Sequence, residues 1–163
     1  MYGMLQLGKQ VPDFQLCNQD GVLIRLGDLR GKKVVIFAFP KAKSINCTRQ
    51  ACAFRDEFPR IASANAVILG VGTDNPHALR DWKQNQNLPY DLLQDPDHHM
   101  LEQWGAWGMF DIKNYLGFPP IKRAYWVVDE QGVLIDMRIG IADKESVRLA
   151  IQALEHGTPS LTR

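Results

Sequence analysis

Apolar residues in this chain fall into short runs separated by polar turns, and between the runs they recur at helical spacing. Residues 22–26 follow the turn Asn18-Gln19-Asp20-Gly21 and are predicted to form a strand. After a second turn at Arg30-Gly31-Lys32-Lys33, residues 34–39 form a continuous β-branched and aromatic run, the pattern of a central strand buried on both faces. From Asn46 to about Ala62, the positions Cys47, Ala51, Phe54, Phe58 and Ile61 fit one helical face. Pro59 predicts a kink or an end within that span. Residues 66–71 read as another buried strand. Asn75-Pro76 caps and opens a helix that runs to about residue 85.

A short strand is predicted at 88–93, and Asp95-Pro96-Asp97 starts a helix reaching about Trp104. Residues 115–120 read as loop. Residues 124–128, the turn Asp129-Glu130-Gln131-Gly132 and residues 133–137 have the pattern of a hairpin. The last helix spans 143 to about 155 with Val147, Ala150, Ile151 and Leu154 on its inner face, and 157–163 reads as a frayed tail. Helices alternating with strands and a closing hairpin imply an α/β fold, a central mixed sheet flanked by helices. With no linker, repeat or low-complexity stretch, residues 1–163 are expected to be one domain.

Composition narrows the function. The chain has 163 residues, 45% of them hydrophobic and 23% charged, enough for one full core. A net charge of +1 gives no reason to expect nucleic acid as a partner. No apolar run approaches the roughly 18 residues that cross a bilayer, so no membrane association is expected. Residues 1–14 lack a basic stretch followed by an apolar one, so no secretory leader is expected. An odd set of three cysteines, Cys17, Cys47 and Cys52, does not look like a secreted disulfide framework. A reducing, cytoplasmic location is the expectation.

The chemistry lies in Pro40-Lys41-Ala42-Lys43-Ser44-Ile45-Asn46-Cys47 and in Cys52, five residues further on. A thiol reacts as its thiolate, and an ordinary cysteine with pKa about 8.5 is mostly neutral at pH 7. A helix start favours the thiolate through its unpaired N–H groups and dipole, and the pattern places Cys47 there. Pro40 ends the strand, and Ser44 offers a hydroxyl to the sulfur or to an incoming substrate. Lys41, Lys43 and Arg49 read as solvated surface charges.

Pro40-x-x-x-Ser44-x-x-Cys47 resembles the active-site motif of peroxiredoxins. The segment through Thr48-Arg49-Gln50-Ala51-Cys52-Ala53-Phe54-Arg55-Asp56 is similar to the subgroup called bacterioferritin comigratory protein or peroxiredoxin Q. The likeness covers most of the chain, from Gly8-Lys9-Gln10-Val11-Pro12-Asp13-Phe14 through Gly70-Val71-Gly72-Thr73-Asp74 and Asp95-Pro96-Asp97-His98 to Arg123-Ala124-Tyr125-Trp126-Val127-Val128-Asp129. It implies a thioredoxin-like fold and a thiol peroxidase that reduces hydrogen peroxide and organic hydroperoxides. Within it, Cys47 corresponds to the peroxidatic cysteine, Pro40 and Ser44 to the motif's proline and hydroxyl, Arg123 to an arginine that reaches the thiolate, and Cys52 to the resolving cysteine. It also implies re-reduction by thioredoxin or a similar dithiol, a monomer, and no metal or organic cofactor.

Helix geometry constrains the cysteine pair. Five residues of helix rise about 7.5 Å and turn about 500°, so side chains at 47 and 52 diverge by roughly 140°. A disulfide wants Cα atoms within about 7 Å, so joining the two requires the helix between them to unwind.

Three features depart from the subgroup: serine at 44 in place of the commoner threonine, Ile45-Asn46 in place of Pro-Gly, and Gln50 where glutamate is frequent. Cys17 reads as a structural thiol in a loop or strand edge. His98-His99 lacks the paired ligands of a zinc site. Trp82, Trp104, Trp107 and Trp126 read as packing residues. Two alternatives stay open on residues alone, a thioredoxin-fold copper-binding chaperone and a non-catalytic redox-binding module. A C-x-x-C reductase lacks its spacing here.

Overall fold

The computed structural model describes residues 5–108 and 119–156. The loop read over 115–120 lies outside them as far as residue 118, as does the 157–163 tail. The elements are β1 (Gln15–Asn18), β2 (Leu23–Arg25), β3 (Lys33–Ala38), α1 (Ile45–Asp56), α2 (Phe58–Ser63), β4 (Ala66–Gly72), α3 (Pro76–Gln86), β5 (Asp91–Gln94), α4 (His99–Gln103), β6 (Ala124–Val128), β7 (Leu134–Ile139) and α5 (Asp143–His156). Seven strands form one mixed sheet in the order β2-β1-β5-β4-β3-β6-β7. β3, β4 and β5 run parallel, with helical crossovers between them, and the remaining pairings are antiparallel.

Strand β3 explains the two-layered core. Alternate side chains point to opposite faces. Val35 and Phe37 join Phe39, Ala51, Phe54, Ile61, Leu79, Trp82 and the inner face of α5 on one side. Val34, Ile36 and Ala38 join Leu69, Val71, Met100, Trp104 and Trp126 on the other. Each large apolar side chain buried this way contributes about 1.5–3 kcal/mol. Phe39 lies so close over β4 that a Cβ at Gly72 would fall 2.6 Å from its ring, which explains glycine there.

The thioredoxin-like α/β fold stands as expected, with differences in detail. Strand β1 was not read from the sequence, and the strand expected over 22–26 is shorter. It gives way to one 3-10 turn at Leu26–Leu29. Cys17 therefore lies in neither a loop nor an edge strand, because β1 pairs with β2 on one side and β5 on the other. The helix expected over 46–62 breaks at Glu57, and Pro59 sits in the first turn of α2, where its missing N–H costs nothing. The strand expected at 88–93 starts at Asp91 instead. Residues 88–90 are held by the end of α3, where Leu88 N–H donates to the Lys83 carbonyl and Lys83 Nζ donates to the carbonyls of Leu88 and Tyr90.

Candidate active site

Strand β3 delivers the chain to the site, and Pro40, buried, follows after Phe39. The loop beyond it is tied down by Asp74, whose carboxylate accepts the Ala42 N–H at 2.9 Å. Lys43 has a left-handed φ of 72° and pairs with Asp81 at 2.7 Å on the surface. Ser44 then occupies the N-cap of α1 with extended backbone angles. Its hydroxyl donates to the Lys41 carbonyl at 2.8 Å rather than to the sulfur. It makes no side-chain cap, so the N–H groups of the first turn are not taken up by it. Cys47, in that turn, is 0% exposed.

Arg123 comes from the residue before β6. It is not an edge-strand surface charge: β6 lies between β3 and β7, and Arg123 is only 8% exposed. Its Nη2 lies 3.4 Å from Cys47 Sγ, and its Nη1 donates to Gln50 Oε1 at 2.8 Å. Gln50, one turn beyond Cys47 on α1, is itself 0% exposed and donates through Nε2 to Ser146 Oγ at 3.0 Å. The sequence marked Gln50 only as a departure from glutamate, and nothing local to Ser146 marks it, because α5 approaches α1 only in the folded chain. A cavity of about 340 Å³, bordered by Asn46, Lys122, Arg123, Ile141 and Asp143, opens beside this group.

Cys52 stands two turns from the start of α1, half-buried, with its Sγ 3.3 Å from Gln86 Oε1. Burial pushes its thiol up from the ordinary range. The Arg55 guanidinium partly opposes this and the Asp56 carboxylate adds to it. Both cysteines are free, and α1 runs unbroken through them. The helix is pinned between them: Trp82 Nε1 donates to Thr48 Oγ1 at 3.0 Å, and the Tyr90 hydroxyl donates to the Ala51 carbonyl at 2.7 Å.

The structure thus brings Pro40, Ser44, Cys47 and Arg123 to the start of one helix and leaves Cys52 apart. Lys41 and Arg49 are exposed. His98 stacks on Trp107 at 3.9 Å and pairs with Glu102 at 2.5 Å. Among the described residues no group of three or more His, Cys, Asp or Glu side chains is arranged to hold a metal ion, and no helix is long and apolar enough to cross a membrane.

The model of the AhpC/TSA family matches residues 7–137. Peroxiredoxin Bcp of Bacillus subtilis is 33% identical over 153 residues, covering 93% of this chain and 96% of that protein. Peroxiredoxin Bcp of Escherichia coli K12 is 35% identical over 130 residues, covering 78% and 81%. The crystal structure of peroxidoxin BcpB from Mycobacterium tuberculosis superposes with a TM-score of 0.83 at 28% identity, covering 93% of this chain and 97% of that one.

Proposed function

The chain belongs to the AhpC/TSA family and is a thiol-dependent peroxidase of the peroxiredoxin type, and from that premise we propose that Cys47 is its attacking sulfur and Cys52 the thiol that resolves it. The observation that carries this reading is the buried Cys47 sulfur at a helix start with the Arg123 guanidinium 3.4 Å away. A cation and free first-turn N–H groups hold negative charge at that sulfur. The Cys47 thiolate attacks one peroxide oxygen and the O–O bond breaks. The departing oxygen takes up a proton and leaves as water or alcohol, with Cys47 as sulfenic acid. Arg123 and the helix N–H groups face charge as it moves from sulfur to the leaving oxygen. The cavity bordered by Asn46 and Arg123 is the route assigned to hydrogen peroxide and organic hydroperoxides.

Resolution follows when α1 opens. Cys52 attacks the sulfenic sulfur, water leaves, and a Cys47–Cys52 disulfide forms. A thioredoxin-type dithiol then reduces the disulfide by exchange. The protein works as a monomer in the cytoplasm. In a mixture of thioredoxin, thioredoxin reductase and peroxide, this reading expects stoichiometric NADPH consumption that Cys47→Ser abolishes. Unchanged turnover in that variant would overturn it.

A further inference from the structure

Arg123 is held from behind by a chain of hydrogen bonds whose direction is set at its far end. The Ser146 hydroxyl donates to the Asp143 carbonyl at 2.6 Å, an oxygen that can only accept. The Ser146 oxygen is therefore left to accept, and Gln50 Nε2 donates to it at 3.0 Å. That turns Gln50 Oε1 toward Arg123, whose Nη1 it accepts at 2.8 Å, while Nη2 faces the Cys47 sulfur. Gln50 and Ser146 are both 0% exposed, so water cannot replace either partner. Gln50 is neutral, and among the described residues no carboxylate stands within ion-pair distance of Arg123. The guanidinium is thus oriented by an amide that leaves its positive charge undivided for the sulfur.

We propose that Ser146 is a positioning residue for the peroxide step, acting through Gln50 to hold Arg123 on the Cys47 sulfur. This rests on the assignment of Cys47 as the attacking thiol. Without Ser146 the Gln50 amide has a buried N–H group with no acceptor, and the side chain is no longer held with Oε1 on Arg123, which loosens the guanidinium. Gln50 also lies between the two cysteines in α1, so opening the helix surrenders the same grip. Loss of Ser146 therefore slows the peroxide step and does not slow disulfide formation.

The test measures the two steps separately. Sulfenic acid formation is followed by rapid mixing in a Cys52→Ser parent, and disulfide formation in protein with Cys52 intact. Ser146→Ala keeps a good helix former in α5. It is expected to slow the peroxide step about tenfold, the scale of a hydrogen bond that serves a charged group, with disulfide formation as fast or faster. Gln50→Met keeps the length and apolar stem of the side chain and removes its amide. In that background Ser146→Ala is expected to change the peroxide step by less than twofold. An unchanged peroxide step in Ser146→Ala overturns the proposal, as does a full tenfold loss in the Gln50→Met background or an equal slowing of both steps. A Cys52→Ser parent that forms no sulfenic acid at Cys47 instead overturns the assignment of Cys47, a result distinct from any difference between Ser146 variants.

Discussion

Replacing Tyr90 with phenylalanine should speed disulfide formation without touching the peroxide step. In intact α1 the Cys47 and Cys52 side chains point apart, so the disulfide forms only from an opened helix. Opening breaks the bonds from Trp82 to Thr48, Tyr90 to Ala51, Gln50 to Ser146 and Arg123 to Gln50. At a net value of about 1 kcal/mol each, these four bonds hold the open state about 4 kcal/mol above the closed one, a population of about one in a thousand. Burial of Cys47 and Ala51, both 0% exposed, lowers it further.

Tyr90→Phe removes one of these pins. The buried ring and its edge contact with Phe37 at 5.8 Å remain, and the Ala51 carbonyl keeps its place in the α1 hydrogen-bond ladder. The phenol is held protonated by burial, so the wild-type residue is a hydrogen-bond donor throughout the accessible pH range. Opening should become about 1 kcal/mol easier, and disulfide formation about fivefold faster. Because sulfenic acid then has less time to meet a second peroxide, the peroxide concentration that half-converts Cys47 to sulfinic acid should rise by about the same factor. Stopped-flow tryptophan fluorescence separates the two phases, and mass spectrometry counts sulfinic acid. A disulfide phase that is unchanged or slower, with the peroxide phase intact, would refute the claim that closure of α1 limits resolution.

Two further outcomes follow from the same geometry. Arg123→Met should lower the second-order rate with hydrogen peroxide by about ten- to a hundredfold, the value of a charge-assisted hydrogen bond at the sulfur. A competition assay showing less than a threefold loss would contradict that role. For Cys52, burial raises the closed-state pKa, so closed α1 keeps its proton where opened chain, with an ordinary thiol near pKa 8.5, releases it. The closed helix is then undiminished below about pH 8 and loses stability as pH rises from there to the raised closed-state value. The logarithm of the disulfide-formation rate should accordingly keep rising past pH 8.5, and a plateau at or below that pH in single-turnover measurements would be inconsistent with it.

What could be read from the residues and what could not divides along sequence separation. The continuous apolar run in β3 and the helical spacing of Cys47, Ala51 and Phe54 are local patterns, and they located the sheet's centre and the helix that carries the cysteines. Strand β1 is four residues long with two polar members, too brief for a period-two signal, and it exists because β2 and β5 pair with it. The start of β5 moved to Asp91 because Lys83, on the preceding helix, bonds the carbonyls of Leu88 and Tyr90. The Ser44 hydroxyl is spent on Lys41, a contact three residues away that several loop conformations would not make.

The sequence by itself determined that a cysteine stands at a helix start after a proline-ended strand, with a second cysteine five residues on. Those relations depend on backbone geometry over a dozen residues. The family resemblance had already matched Arg123 to an arginine that reaches the sulfur; only the tertiary structure decided how close it stands, that Gln50 and Ser146 orient it, and that Trp82 and Tyr90 pin the helix shut. Those partners lie between 34 and 96 residues apart in the chain. A side-chain hydrogen bond acts over about 3 Å, so no local pattern carries it until the packed core sets the distance.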